Sequence, residues 1–332
     1  MRSPESSSGQ AKVRSLPASL LIIGHRKAKA VGLRTSNVKT MKILIIGGGQ
    51  PHSLESYYEK ALSAIGTTVE ILPIYDIFYQ YYTKNIFNKI KHRLHLSSIY
   101  KRLNQTILEK VATYRPDIVW VFKGMEVLPS TLKILRAKEI KLANFNPDHP
   151  FFFMGYSSGN KNVTDGLPYY DLHFCYDQKV ASKITETYNI PTPILPFGYA
   201  VSDKLYRQLY HLPEILSVCF VGTYDKPRAK IIYQLAQAQV PIVVYGNGWH
   251  GKLNRFNHVQ TNPPIYTEDY WKALRQYRVQ LNILRLHNKA NHNMRTFEIP
   301  SVGGIMLTEA TDDHTSFFQK GQEFFIYRNA AI

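Results

Sequence analysis

The sequence contains 332 residues, of which 44% are hydrophobic and 13% aromatic, and it carries a formal net charge of +17 at pH 7. This length exceeds that of an ordinary single domain and predicts two domains, each with enough apolar surface for a core. No stretch approaches the roughly 20 apolar residues of a membrane-spanning helix, which predicts a soluble protein. The positive charge favours anionic partners, whether nucleotide phosphates, acidic lipid headgroups or nucleic acid.

The cysteines and the first forty residues bear on the compartment. Cys175 and Cys219 lie in apolar, strand-like runs, which predicts two buried free thiols and a reducing, cytoplasmic location. Residues 1–40 are rich in Ser, Lys and Arg, and we expect a disordered or spurious extension before a folded protein that starts at Met41. A signal or transit peptide is the alternative, although basic residues directly follow the apolar run "LPASLLIIG".

From Met41 onward, predicted strands and helices alternate. The apolar run "KILIIGG" is typical of a buried parallel strand, and "SLESYYEKALSAIG" of a capped amphipathic helix. Further strands are predicted at "TVEILPIY", "DIVWVFKG", "KLANFNPDHP" and "YDLHFCYD", with helices at "SIYKRLNQTILEKVATYRP" and "LPSTLKILRAKEI". The alternation predicts a doubly wound parallel sheet over residues 41–200.

The same rhythm restarts after a boundary near residues 196–214. Strands are predicted at "LSVCFVGTY", "PIVVYGNGW", "VQLNILR" and "FFIYRN", with helices at "PRAKIIYQLAQAQ" and "TEDYWKALRQY". The stretch "NHNMRTFEIPSVGGIMLTE" predicts a short helix, a double glycine and a buried strand. We therefore expect a second Rossmann-like domain over residues 201–332 and a cleft between the two domains. Ligands of open parallel sheets bind beyond the carboxyl ends of the strands, so candidate residues are those that follow strands.

In the first domain, two strand ends carry candidate residues. Gly48 and Gly49 follow the first strand without the G-x-G-x-x-G fingerprint, so they indicate either a plain turn or a close approach of ligand to backbone. Asp148 and His149 follow another strand between two prolines, and either could serve as a general base or orient a substrate hydroxyl. An Asx-type turn is the structural alternative at this loop.

In the second domain, the first two strand ends predict a phosphate site and a base site. Gly222, Thr223 and Arg228 stand at a helix start, where backbone N–H groups and a guanidinium suit a diphosphate. Tyr245 and Gly246 end the next strand beside Trp249, where a flat base could lie. Solvated charges and core aromatics are the alternatives.

The predicted helix before the double glycine carries a third group. Arg295 and Glu298 share a helical face, so that Arg295 could neutralise phosphate and Glu298 could accept hydrogen bonds from a ribose diol. The alternative is a surface pair in which Glu298 complements the helix N-terminus. Gly303 and Gly304 would turn the chain into the following strand.

Two further features concern partners. The basic and aromatic region of residues 81–103 could bind an anionic membrane surface, although a solvated helix face is the simpler interpretation. No metal-ligand motif is present, and no nucleic-acid-binding motif accompanies the charge. We expect no cofactor, no metal and no nucleic acid.

These stretches, in this order, resemble the CgeB-like glycosyltransferases of the GT-B superfamily. The matching pieces include "MKILIIGG", "RPDIVWVFKG", "NFNPDHP", "LPFGYAVSDK", "FVGTYDKPR", "VVYGNGW" and "RTFEIPSVGGIMLTE". The resemblance implies two Rossmann-like domains around a central cleft, with the nucleotide-sugar donor held mainly by the second. It also implies that Glu298 contacts the donor ribose, that Asp148 or His149 faces the acceptor, and that no bound metal is needed.

Two departures from the family pattern bear on activity. Asn291 stands where the fuller motif has a carboxylate seven residues before Glu298. The chain also stops after "FFIYRNAAI", where GT-B proteins normally continue through further helices, so we expect a truncated second domain.

The sequence thus predicts a metal-independent, hexosyltransferase-like enzyme that moves a sugar from a nucleotide-diphosphate donor to an unidentified glycan, protein or lipid acceptor. Gly48 and Gly49 would line its acceptor side. The alternative is a catalytically inactive nucleotide-sugar-binding or surface-layer assembly protein. An NAD-dependent enzyme is a weaker rival, because the dinucleotide fingerprint is absent.

Overall fold

The computed structural model describes residues 40–94, 96–153, 158–285 and 291–327. Apart from Thr40, the extension expected at residues 1–40 lies outside these ranges. Within them the structure consists of two parallel sheets and the helices that cover their faces.

The first sheet has five parallel strands in the order β2-β1-β3-β4-β5. The strands are β1 Lys42–Ile46, β2 Thr68–Leu72, β3 Ile118–Phe122, β4 Lys141–Phe145 and β5 Leu172–Phe174. In β1, β3 and β4 every residue after the first is buried, because helices cover both faces of the sheet.

Seven α-helices of the described ranges accompany this sheet, and its core lies between sheet and helices on both faces. They are α1 Leu54–Ala64, α2 Ile74–Thr83, α3 Ile86–Arg93, α4 Ile99–Tyr114, α5 Pro129–Ala137, α6 Lys161–Gly166 and α7 Gln178–Tyr188. Local sequence sets their starts: the side chains of Ser53 and Asp177 accept backbone hydrogen bonds as N-caps of α1 and α7.

The second sheet has six parallel strands in the order β11-β10-β9-β6-β7-β8. The strands are β6 Val218–Val221, β7 Ile242–Tyr245, β8 Val259–Asn262, β9 Val279–Asn282, β10 Ile305–Thr308 and β11 Phe324–Ile326. Its helices are α8 Asp203–Tyr210, α9 Lys226–Gln237, α10 Thr267–Gln276, α11 Arg295–Ser301 and α12 Asp312–Phe317.

The predicted α/β architecture is therefore confirmed, and so are the two buried free cysteines. Six elements of the described ranges were not predicted: β8 and the helices α2, α6, α7, α8 and α12. The β8 sequence "VQTN" is an edge strand with no fully buried residue, and α8 lies in the segment predicted to connect the domains. No helix in the described ranges is both long and apolar enough to span a bilayer.

Contacts join the two halves of the fold. The ring of His52, before α1, stacks on Tyr266, after β8, with 4.6 Å between centroids. The buried Nε2 of His292 accepts a 3.2 Å hydrogen bond from the backbone N–H of Phe197. These contacts position the carboxyl ends of the two sheets around a shared opening.

Candidate functional site

A cleft of about 390 Å³ opens between the carboxyl ends of the two sheets. From the first half it is lined by the start of α1, the loop after β4 and the segment around Phe197. From the second half it is lined by the loops after β6, β7, β8 and β9 and by the start of α11. This is the position expected for a ligand site in open parallel sheets.

The structure brings seven of the thirteen predicted site residues to this cleft: Asp148, Gly222, Thr223, Arg228, Tyr245, Gly246 and Arg295. The other six do not line it: Gly48, Gly49, His149, Glu298, Gly303 and Gly304.

Arg228 is fixed deep in the cleft wall. It is only 7% exposed, its Nε donates to the carbonyl of Ile283 at 3.2 Å, and Nη1 donates to the carbonyl of Thr223 at 3.3 Å. Asp225, the N-cap of α9, accepts from the backbone N–H of Arg228 and pairs with its guanidinium at 3.4 Å. A buried guanidinium held in this way is a rigid donor that keeps its orientation without ligand.

Three arginines converge on the cleft. Burial lowers the pKa of Arg228 to about 10; the charge of Asp225 opposes this, and the positive charges of Arg295 and Arg285 lower it further. Arg285 follows β9, and Arg295 begins α11. The Nε of Arg295 is buried and has no hydrogen-bond partner. Like charges gathered at one wall favour an anionic ligand, which would relieve their repulsion.

The wall beside the arginines is bare backbone. A Cβ built on Gly246, whose φ is +151°, would lie 2.1 Å from the carbonyl oxygen of Gly222. The indole N–H of Trp249 donates to that same oxygen at 2.8 Å. Trp249 is fully buried, so of the two aromatics near this strand end only Tyr245 lines the cleft.

On the opposite wall, Asp148 lines the cleft and forms a 2.6 Å ion pair with Lys123. The prediction for His149 needs correction. Its Nδ1 accepts from the backbone N–H of Phe151 at 3.2 Å, and its ring contacts the neighbouring phenylalanines rather than the cleft. Burial lowers the pKa of His149, and Asp177 nearby opposes that shift. Of this pair, only Asp148 is placed to meet a ligand.

The placement of Gly48 and Gly49 on the acceptor side also needs correction. The N–H of Gly48 donates to Glu55 Oε1 at 2.6 Å, and that of Gly49 donates to Asp76 Oδ2 at 2.7 Å. Both donors that a ligand could have used are thus taken by carboxylates of the same half. The glycines make the turn after β1.

Glu298 lies behind Arg295 and not at the cleft surface. It is 4% exposed, and its Oε2 accepts a 2.5 Å hydrogen bond from the hydroxyl of Tyr270. Burial raises the pKa of Glu298, and the charge of Arg295 and the bond from Tyr270 both oppose that increase. In this arrangement the carboxylate stabilises Arg295 from behind, and a ribose would have to compete with Tyr270.

Gly303 and Gly304 end helix α11 and do not contact the cleft. Gly303 has a φ of +78°, and its N–H donates to the carbonyl of Pro300. At Gly304, a Cβ would lie 3.0 Å from the carbonyl oxygen of Ile299. The double glycine therefore serves the turn and the close packing of α11 on β10.

Asn291, which departs from the family motif, has a clear structural partner. Its Nδ2 donates a short hydrogen bond to Oδ2 of Asp177, the N-cap of α7 in the first half. A carboxylate at position 291 would face another carboxylate here. The amide therefore suits the contact between the halves.

Cleft residues that were not predicted include Arg285, Asn247, Tyr266 and Asn293. Arg285 and Asn247 follow strands that were predicted, so the same strand-end criterion could have identified them. Tyr266 follows β8, whose polar sequence gave no strand signal.

Solved structures establish the fold class. The chain is similar to trehalose-6-phosphate synthase (TM-score 0.56, 12% identity, 84% of this chain and 86% of that chain). It is also similar to UDP-GlcNAc 2-epimerase from Methanocaldococcus jannaschii (TM-score 0.54, 10% identity, 86% and 89%). The fold is GT-B-like. A third GT-B-like match is Anabaena HepE in complex with UDP (TM-score 0.50, 12% identity, 87% and 85%).

At the sequence level, residues 228–331 match the family described as glycosyl transferase-like. This match begins at Arg228 and covers α11 and the double glycine, so the second half contains a glycosyltransferase-like region. No curated protein sequence matches the chain.

Proposed function

We propose that this GT-B-like protein is a glycosyltransferase that moves a sugar from a nucleotide-diphosphate donor to an acceptor nucleophile. The convergence of Arg228, Arg285 and Arg295 on one wall of the cleft is the observation that carries the proposal. The negative charge of a diphosphate would balance the positive charge of these guanidiniums. Its departure as a leaving group needs the fixed positive charge that they supply.

The donor would lie along the second half of the cleft. The arginines would hold the diphosphate, while Tyr245, Gly246 and Tyr266 would border the base. Gly246 suits this position because it exposes backbone to a flat ligand. Since the HepE structure contains UDP in a similar fold, uridine is our first choice of base. Glu298 would reach the ribose only by exchanging its bond to Tyr270.

The acceptor would approach from the first half. Asp148 is the charged group that lines this wall, and we assign it the role of orienting the acceptor hydroxyl or accepting its proton. The ion pair with Lys123 holds the carboxylate in place. We also propose that the protein is a CgeB-like glycosyltransferase and that the sugar it transfers is a hexose.

Thermal-shift measurements with UDP-, GDP-, ADP- and CDP-sugars test donor binding, because a ligand of the native state raises the melting temperature. We expect one nucleotide series to raise it, and we expect EDTA to leave that shift unchanged because the guanidiniums supply the positive charge. Release of free nucleotide from the sugar that binds best then tests turnover. Binding without turnover across an acceptor panel would favour the inactive binding protein, and no shift with any nucleotide sugar would overturn the proposal.

A further inference from the structure

Helix α3 and the residues just after it present large apolar side chains to solvent. Phe87 is 70% exposed, Ile86 is 60% exposed, and Ile90, Leu94 and Leu96 are also exposed. No residue of α3 is buried. We call the five apolar side chains the α3 surface.

The orientation of α3 is the reverse of that of an ordinary surface helix. At about 100° per residue, Ile86, Phe87, Ile90 and Leu94 fall within one arc of about 100°. The opposite face carries Asn88 and His92, and these polar residues face the protein. An amphipathic helix of a soluble protein normally buries its apolar face, so among the described residues the α3 surface lacks the partner that its sequence fits.

Specific contacts hold α3 in this orientation. The Nδ2 of Asn88 donates to the carbonyl of Tyr81 at 2.8 Å, and Asn85 caps the helix. The ring of His92 packs edge-on against Phe78 at 5.1 Å and Tyr100 at 5.4 Å. The outward direction of the apolar face is therefore fixed by contacts from α2 and α4.

The charged residues of the chain segment that contains the α3 surface have a single sign. Between Asp76 and Glu109 the sequence contains no acidic residue. Over the same interval it contains six lysines and arginines: Lys84, Lys89, Lys91, Arg93, Lys101 and Arg102. Lys91 projects on one side of the apolar arc, and Lys89 and Arg93 project on the other. This basic rim is complementary to anionic headgroups, and the apolar centre is complementary to acyl chains.

We infer that the α3 surface docks the protein on a membrane that contains anionic phospholipid. The apolar side chains would enter the interface between headgroups and acyl chains, and the lysines would contact lipid phosphates. A protein partner with an acidic rim, or a second copy of the chain, would be a different occupant. The single-sign rim argues against a second copy, because two such surfaces would repel each other.

Vesicle co-sedimentation of the full chain tests this inference. We expect binding to vesicles that contain about one-third phosphatidylglycerol, weaker binding to pure phosphatidylcholine, and loss of binding as salt is raised. The double variant Ile86→Ser/Phe87→Ser should reduce binding about tenfold or more, since both side chains would otherwise be buried in lipid. Lys84→Glu/Lys91→Glu should reduce binding to the anionic vesicles by a similar factor.

Matched controls come from exposed residues elsewhere on the chain. Leu216→Ser removes a side chain that is 93% exposed, and Lys133→Glu/Lys138→Glu makes the same charge change on α5 and at its C-cap. Both should bind vesicles like the wild type. Since α3 has no buried residue, all variants should melt close to the wild type and keep its thermal response to nucleotide sugar.

Three results would overturn the inference. The first is no binding to anionic vesicles, or binding that the control variants lose as well. The second is displacement of the protein by inorganic phosphate at matched ionic strength, which would indicate a free-anion site. The third is a change in oligomeric state in Ile86→Ser/Phe87→Ser without any change in vesicle binding, which would indicate an interface between copies of the chain.

Discussion

At the scale of single residues, Arg295 combines the features expected of a ligand-binding group. Its Nε is buried without a hydrogen-bond partner, its guanidinium lies 5.8 Å from the ring centroid of Tyr270, and Glu298 supplies a nearby negative charge. A buried guanidinium nitrogen that keeps an unused N–H donor is costly unless a ligand completes its hydrogen bonds. We interpret Glu298 and Tyr270 as the support that holds Arg295 toward the cleft.

The variant Arg295→Gln tests this interpretation. Removal of one charge-assisted contact to phosphate should cost about 1.5–3 kcal/mol, or roughly 10- to 100-fold in the dissociation constant for the nucleotide diphosphate. Isothermal titration calorimetry with UDP is the measurement. Arg207→Gln on α8 is the matched control, because its side chain is exposed and does not line the cleft. Equal affinity in the two variants would remove Arg295 from the site.

Glu126, in the loop after β3, leads to a prediction on pH. Burial raises the pKa of its carboxyl from 4.5 to about 7, and Oε1 has no hydrogen-bond partner. Because the folded state binds this proton more tightly than the unfolded chain, the stabilisation that it gives is complete below about pH 4.5. It is lost as the pH rises through about 7.

Glu126→Gln should therefore remove a pH dependence. Near pH 8 the variant should exceed the wild type in free energy of unfolding by up to roughly 3 kcal/mol, and near pH 4.5 the two should converge. Urea unfolding at both pH values measures the difference. Glu186→Gln, which makes the same exchange at an exposed position on α7, is the matched control. A constant offset between Glu126→Gln and the wild type would contradict the prediction.

At the scale of elements, buried parallel strands were the features that could be predicted best. Runs such as "ILII" and "IVWVF" are apolar throughout because both faces of the sheet are covered, and this pattern is visible without the fold. The edge strand β8 has a polar, half-exposed sequence and was missed. Local sequence also could not show that α3 would turn its aliphatic side chains outward, since that depends on contacts with other helices.

The site could be predicted only in part, for a related reason. The strand-end criterion selected Arg228, Tyr245 and Asp148, because topology alone brings the carboxyl ends of parallel strands together. It selected Gly48 and Gly49 as well, yet their backbone donors are satisfied by side chains distant in sequence. Which groups remain available to a ligand depends on tertiary contacts, and a single sequence does not reveal these.

The end of β7 leads to a prediction about backbone packing. Gly246→Ala would place a Cβ against the carbonyl of Gly222, so strand and loop would have to separate. Gly251→Ala also falls at positive φ, +73°, but its Cβ would meet nothing within 4 Å. The control should cost about 1–2 kcal/mol from backbone strain alone, and Gly246→Ala should cost clearly more and weaken UDP binding. Chemical denaturation with calorimetry compares them, and equal costs would show that the close contact is unimportant.

At the scale of the whole molecule, the cleft depends on how the two sheets are held together. His52 stacks on Tyr266 at one side of the opening, while Phe197 is bonded to His292 at another. Asn291 joins the helix-capping Asp177 of the first half. Apolar side chains join the halves as well, because Met294 and Phe297 of the second half pack against the core of the first. Phe197, Tyr266 and Met294 of this junction line the cleft itself. Their loss should therefore affect the cleft before it affects either sheet.

The pair Asn291–Asp177 allows that expectation to be tested. Asn291→Asp would set two carboxylates against each other in a largely buried place, and we expect a loss of about 2 kcal/mol in stability together with weaker UDP binding. The exchanged pair Asn291→Asp/Asp177→Asn keeps one amide and one carboxylate, and Asn can still cap α7. It should recover most of the stability that the single variant loses, which thermal unfolding and UDP titration of the wild type, the single variant and the exchanged pair would measure. If the exchanged pair is no more stable than Asn291→Asp alone, the amide acts through contacts other than Asp177. Asn291 would then be better explained as the replacement of a carboxylate that belongs to the binding site in the family motif.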